Sequence, residues 1–239
     1  MHNAFNLAET LANPSNKIIG GFAATEGQFP HQVSIRKVTN VHLCGGSIIS
    51  PNWVLTAASC TTGADNIVVI VGTIYLSSTG RIHTVSERIR HEAFDMNTKQ
   101  NDIALLRLLT SIFFSDYVKS IRLANAEPYD YADCQIAGWG VKTNPPAAYP
   151  NQLQYTNTLK FPLGTCMGLL FGRPVFSTNL CTMQEYVEGT CDGDAGGALI
   201  CNNEQVGISS WQGSCETVLP SVYTNVASYR SWIREHSGI

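Results

Sequence analysis

No stretch of this sequence approaches the roughly 20 consecutive apolar residues that a bilayer-spanning helix needs, so no membrane-crossing helix is expected. The opening residues do not combine basic side chains with an apolar segment in the manner of a signal peptide, and any secretion signal is expected to have been removed. Charge is sparse as well: 14% of the 239 residues are charged and the formal net charge is −3. That balance gives no long-range pull toward nucleic acid, heparin or an anionic membrane. Cysteine pairs at zinc-site spacing are missing and the histidines do not sit beside the cysteines, so neither a metal nor a cofactor is expected. No internal repeat is evident.

What is present fits a compact secreted protein. Hydrophobic residues make up 44% of the chain, enough for a sizeable core. Eight cysteines, an even number spread over the middle and second half, suggest four disulfides and an oxidising compartment, hence a secreted, extracellular protein. Residues 1–17 are polar and carry Asn13-Pro14-Ser15-Asn16, which reads as a leader. Lys17 then precedes Ile18-Ile19-Gly20-Gly21, a basic residue before an apolar pair of the kind a trypsin-like enzyme would cut.

From Gln32 onward short β-type runs alternate with turn signals, as in an all-β barrel or sandwich. The expected strands cover 32–35, 46–49, 53–56, 66–71, 82–89 and 102–109, then 135–139, 154–161, 199–201, 206–210 and 221–224. Val226, Tyr229 and Ile233 repeat at helical spacing, with Trp232 close by, so a short amphipathic helix over about 226–237 should close the chain. Between them lies Thr190 to Leu199, read Thr-Cys-Asp-Gly-Asp-Ala-Gly-Gly-Ala-Leu, where Gly193, Gly196 and Gly197 crowd around Asp194 and Ala195. Such glycine density suits a backbone in tight turns with several N–H groups aimed at one point.

Ile18-Ile19-Gly20-Gly21, Cys44-Gly45-Gly46-Ser47, Leu55-Thr56-Ala57-Ala58, Asn101-Asp102-Ile103-Ala104-Leu105, Gly138-Trp139-Gly140, Gly193-Asp194-Ala195-Gly196-Gly197 and Ser210-Trp211 occur in one order. In this the chain resembles the chymotrypsin-like (S1) serine proteases from Ile18 to its end. The resemblance implies a double antiparallel β-barrel with a short C-terminal helix: a leader over 1–17, then a protease-homology domain over 18–239 with the barrels meeting near residue 120. It also implies the pairings Cys44 to Cys60, Cys134 to Cys201, Cys166 to Cys181 and Cys191 to Cys215.

The chain departs from the family pattern at several positions. The family's Leu-Thr-Ala-Ala-His-Cys reads Leu55-Thr56-Ala57-Ala58-Ser59-Cys60, so a serine stands where the general base belongs. Ala195 stands where the nucleophilic serine belongs, while Asp102, the orienting carboxylate, is kept. A hydroxyl attacks a carbonyl when a base titrating near neutrality takes its proton, and Ser59 cannot do that. The oxyanion-hole positions, Gly193 and Ala195, act through backbone N–H groups and are compatible with the family geometry. Gly189 lies at the base of the implied specificity pocket, where an aspartate would select basic residues, and Gln212 and Ser221 stand at pocket positions usually held by glycine. Lys17, Ile18 and Asp194 match the family's activation switch, in which the new α-amino group of Ile18 pairs with Asp194. The loop from Gly72 to Thr84 holds no acidic residue, so the calcium site of some relatives is not expected. His31, His42, His83 and His91 lie away from triad positions and are expected to be structural or solvated.

These departures lead to the expectation of a non-enzyme: a secreted, catalytically inactive serine-protease homologue, or pseudoprotease, that acts by binding a protein and is a monomer. Among inactivated relatives it resembles the scabies mite inactivated serine-protease paralogues, which implies interference with host complement components. The alternatives are a serine endopeptidase disabled by engineering, against which Ser59, Gln212 and Ser221 speak, or a hydrolase with residual activity and a preference for small residues. Recognition is expected to use surface loops such as the one at Pro145-Pro146.

Overall fold

The computed structural model describes residues 21–63, 66–140, 149–183, 194–212 and 219–239. Its strands fall into two groups. After β1 (Phe22–Ala23), which pairs with the second group, the first comprises β2 (Gln32–Lys37), β3 (His42–Ser50), β4 (Trp53–Thr56), β5 (Ile67–Val71), β6 (Arg81–Arg90) and β7 (Ala104–Leu108). The second comprises β8 (Arg122–Leu123), β9 (Asp133–Gly138), β10 (Gln154–Phe161), β11 (Asn179–Met183), β12 (Ala198–Cys201), β13 (Glu204–Gln212) and β14 (Ser221–Asn225). Helix α1 (Leu163–Leu169) lies between β10 and β11, and α2 (Arg230–Ser237) ends the chain.

Strands β2-β3-β4-β7-β6-β5 form a closed antiparallel barrel. The other set runs β10-β11-β14-β13-β12-β9 and closes through the β10–β9 pairing, with β1 added to β10 and β8 to β13. The fold is thus two six-stranded antiparallel barrels, as the family resemblance implies. Closure leaves neither ring with a free edge for another chain to extend.

The sequence pattern explains these elements. In β5, Ile-Val-Val-Ile-Val is buried along nearly its whole length, while β6 shows its charged side chains to solvent. Val33, Ile35, Ile48, Val54, Leu55, Val69, Leu105 and Leu106 fill the first barrel without exposure. Ile136, Leu180, Leu199, Val206 and Tyr223 fill the second, alongside Cys134 and Cys201. Burial of this much β-branched and leucine side chain is the main favourable term, at about 1.5–3 kcal/mol for each large residue.

Several local readings change in the structure. Strand β3 begins at His42 and includes Gly45 and Gly46, which argue against a strand on propensity alone. A Cβ on Gly46 would lie 3.0 Å from Val33 Cγ2 and 3.1 Å from Val54 Cγ1, so close strand packing requires the glycine. The strand expected over 102–109 starts at Ala104, which leaves Asp102 in the approach to it. The 226–237 helix divides into a tight three-residue-per-turn segment, Val226–Tyr229, and α2 proper. The Asn225 side chain accepts a hydrogen bond from Ala227 N and sets that first turn. Strand β11 and helix α1 lie outside the expected elements. Gly164 and Gly168 weaken the helical signal of α1, and the Cys166–Cys181 disulfide fastens it to β11.

The C-terminal helix docks on the first barrel: Val226, Tyr229, Trp232 and Ile233 belong to the same buried cluster as the β2–β7 side chains. Disulfides join Cys44 to Cys60, Cys134 to Cys201 and Cys166 to Cys181. Cys191 and Cys215 lie outside the described residues, as does the 1–17 leader.

Candidate active site

The residues at the triad positions come from separate elements. Ser59 lies in a tight turn, Ala58–Thr61, directly after β4, and the Cys44–Cys60 disulfide ties that turn to β3. Asp102 precedes β7, and Ala195 belongs to the glycine loop that leads into β12. The two barrels are also joined near this place: Gly45 N, on β3, donates to Ala195 O at 2.9 Å, and Ser47 Oγ donates to Gln205 Oε1 at 2.6 Å.

Asp102 is fully buried and densely bonded. Ser59 N donates to Oδ1 at 2.8 Å, Ser59 Oγ to Oδ2 at 3.0 Å and Ser210 Oγ to Oδ2 at 2.6 Å. The Asp102 main-chain carbonyl accepts from Thr224 Oγ1 at 2.8 Å. Burial pushes the carboxyl above its usual value, while the hydrogen bonds from Ser210 and Ser59 and the charge of Lys99 pull it down. Ser59 therefore occupies the place of a base with a hydroxyl that spends its proton on Asp102, and Ala195 presents a methyl group. Ser210 and Thr224 are partners of Asp102 that sequence reasoning does not find. Ser210-Trp211 was a landmark of the family order, but neither spacing nor residue type indicated that these hydroxyls meet Asp102.

The glycine loop is held by backbone bonds. Gly196 N donates to Ser209 O at 2.8 Å, Gly197 N to Asp194 O at 3.0 Å, and Ser209 N to Gly197 O at 2.9 Å. Gly196 has φ 81°, and a Cβ there would collide with Thr56 Oγ1 and stand 2.5 Å from Gly45 O, so glycine is required twice over. Asp194 is buried, and its Oδ1 accepts from Gly140 N at 2.8 Å. Lys17 and Ile18, its expected activation partners, lie outside the described residues. So do Gly193, the other oxyanion-hole position, and Gly189 at the implied pocket base.

Gln212 and Ser221 face each other as cross-strand partners of β13 and β14. Both are half-buried. Arg173 caps this end of the sheet: Nη1 donates to Gln212 O at 2.9 Å, and the guanidinium lies 4.6 Å from the Trp211 ring centroid. The histidines take other places. His42 Nδ1 pairs with Ser34 Oγ at 2.8 Å, His83 Nδ1 sits 3.2 Å from Thr110 O, and His91 packs between Tyr229 and Trp232. His31 is buried, and its pKa falls to about 4 for that reason. Among the described residues no group of three or more His, Cys, Asp or Glu side chains could hold a metal ion, and no helix is long and apolar enough to cross a membrane. The loop at Pro145-Pro146 lies outside the described residues.

Comparison with known proteins gives one consistent answer. The Trypsin family profile matches residues 18–233. Trypsin alpha of Drosophila melanogaster is 36% identical over 228 residues, spanning 93% of this chain and 88% of that protein. Hypodermin-A of Hypoderma lineatum is 34% identical over 230 residues, with the same two shares of 93% and 88%. Neuropsin, a serine protease expressed in the limbic system of mouse brain, superimposes with a TM-score of 0.86 at 29% identity, covering 91% of this chain and 98% of that one.

These relatives correct the expectation of a non-enzyme. The proteins matched over nine-tenths of the chain are named as trypsins and Hypodermin-A, and the matching fold is that of a serine protease. None of these matches shows a loss of catalysis, and the side chains at 59 and 195 do not take the chain out of a protease family. The same relatives support the family without reaching the narrower resemblance to the scabies mite paralogues. With its two barrels, its glycine loop and its match from Ile18 onward, the chain belongs to the trypsin family of chymotrypsin-like serine proteases.

Proposed function

We propose that this member of the trypsin family is secreted and works by holding a protein partner on its protease scaffold, with host complement components as the candidate partner. The observation that carries this reading is the hydroxyl pair on Asp102. Ser59 and Ser210 both donate to Oδ2, and a methyl group follows Asp194 in the glycine loop, so the retained hydrogen bonds stabilise a shape. Disulfides joining three cysteine pairs support a secreted setting. Complement enters as the candidate through the narrower family resemblance.

The test is a pull-down from serum with the chain beginning at Ile18, beside a complement lysis assay. A retained complement component and reduced lysis are expected. No retained component together with unchanged lysis would overturn the complement reading.

A second reading, a hydrolase with a preference for small residues, is favoured by the intact loop bonding at Gly45, Ala195 and Ser209 and by the Gln212–Ser221 pair at the pocket positions. A peptide library separates the two. Cleavage after small residues by the chain itself would move the assignment to this second reading. The Ser59→His, Ala195→Ser double variant, in which Asp102 can orient an imidazole, is expected to cleave at least ~10³-fold faster than either single variant, because triad residues act as a unit.

A further inference from the structure

Both barrels are closed rings, but β13 outruns its neighbour β12. The β12–β13 pairing ends at Ala198 and Ile208, whereas β13 stays paired with β14 as far as Gln212 and Ser221. The first overhanging residue is taken by the glycine loop: Ser209 N donates to Gly197 O at 2.9 Å, and Ser209 O accepts from Gly196 N at 2.8 Å. Main-chain polar groups point to alternate sides of an antiparallel strand. Ser209 turns its own away from β14, Ser210 and Trp211 together oppose Val222 at a bulge, and Gln212 therefore turns its carbonyl to the same side as Ser209. This short length of strand edge lies beside the triad positions, because Ser210 donates to Asp102.

Arg173 closes that edge. It stands in the connection between α1 and β11, is exposed, and sends Nη1 to Gln212 O at 2.9 Å with its guanidinium 4.6 Å from the Trp211 ring centroid. Trp211 packs on the buried cluster of Cys166, Leu170, Cys181 and Val222, which fixes the ring as a platform. A guanidinium carries several N–H donors, and among the described residues Gln212 O is the only acceptor that this one meets. No carboxylate pairs with it among those residues.

We propose that Arg173 is a latch on this edge that selects for acidic peptides. An extended peptide adds to β13 by donating a main-chain N–H to Gln212 O in place of Arg173 Nη1. A glutamate or aspartate side chain of the same peptide then takes the released guanidinium in a two-pronged pair over the Trp211 ring. The exchange at Gln212 O replaces one hydrogen bond by another, so a neutral peptide gains little from it. The carboxylate supplies the difference, and a basic side chain at the same place is repelled. The inference rests on the partner-holding reading and gives the partner's chemistry, an extended segment with an acidic side chain.

The probes are acetyl-Val-Thr-Val-Glu-Val-Thr-amide and the same peptide with glutamine or lysine in place of glutamate, titrated into the full chain at low ionic strength, where a surface pair is least screened. The glutamate peptide is expected to bind about five-fold or more tighter than the glutamine peptide, with the lysine peptide weakest. Arg173 is exposed, so Arg173→Ala leaves the fold intact while removing both latch and charge. That variant is expected to bind the glutamate and glutamine peptides alike, and the glutamine peptide several-fold more tightly than the parent does. Arg173→Lys, which keeps the charge without the fork, should fall between. Equal binding of the glutamate and glutamine peptides by the parent, no binding of any peptide, or a glutamate preference that survives in Arg173→Ala would overturn the proposal. The serum pull-down separates it from the broader reading: a component retained equally by the parent and Arg173→Ala would leave partner binding in place and sink the latch alone.

Discussion

At the scale of the residue, Asp102 shows how one side chain can be legible in identity and illegible in consequence. Its place after Asn101 and before Ile103-Ala104-Leu105 marked it from the sequence, and so did the substitution of Ser59 and Ala195 at their positions. That Ser210 from β13 would supply its shortest hydrogen bond depends on folding that brings residues 108 apart in sequence into contact. The carboxyl is held above its usual value by burial, so across the carboxylate range the native state binds its proton more readily than the unfolded chain does. Stability should therefore fall as pH rises through that window. In Asp102→Asn this contribution should vanish, and urea melts between about pH 3 and pH 6 should show the parent losing ground to the variant as pH rises. A parent that gains on the variant over the same range would mean that the hydrogen bonds from Ser59 and Ser210 outweigh the cost of burial.

At the scale of the element, strands with alternating or continuous β-branched runs, such as β5 and β10, were readable because their periodicity matches their burial. Elements held by contacts from elsewhere were not: α1 depends on the Cys166–Cys181 bridge, and β3 extends through Gly45 and Gly46 because its neighbours approach too closely for side chains. Helix α2 offers a clean test of a local signal. It ends at Gly238 with φ 78° and Gly238 N donating to Arg234 O, in open space where a Cβ would meet nothing within 4 Å. Gly238→Ala should cost about 1 kcal/mol from backbone conformation alone. Denaturant midpoints give the value, and an unchanged midpoint would show that the last turn frays without affecting the docked helix.

At the scale of the whole molecule, the disulfides differ in how much chain they constrain. Cys134–Cys201 closes 67 residues of sequence and Cys166–Cys181 closes 15. Replacing the first pair with alanine should cost about 4 kcal/mol and the second about 3 kcal/mol, since the longer loop forfeits more unfolded-state entropy. The reverse order in chemical denaturation would point to native-state effects instead. His31 adds a pH dependence of the opposite sign to that of Asp102. Buried and held down to about 4, its imidazole is neutral in the fold, so its stabilising contribution is present above the unfolded-chain value and is lost as pH falls from 6.5 toward 4. The full effect is about 3 kcal/mol, and in His31→Leu the stability profile over that range should flatten.

The order of short strands, the cysteine count and the run of motifs from Ile18 to Trp211 determined the barrels and the family, because those features are local or are read along the chain. The replacements at 59 and 195 were equally plain in the letters, yet they did not determine enzyme class, which the relatives place among the proteases. The tertiary structure alone decided which hydroxyls reach Asp102, that Gln212 and Ser221 face each other across β13 and β14, and that Gly45 of β3 meets the glycine loop at Ala195. Each of these joins residues distant in sequence. No periodicity or spacing encodes such contacts, which exist only once two closed barrels have fixed how their strands and loops approach one another.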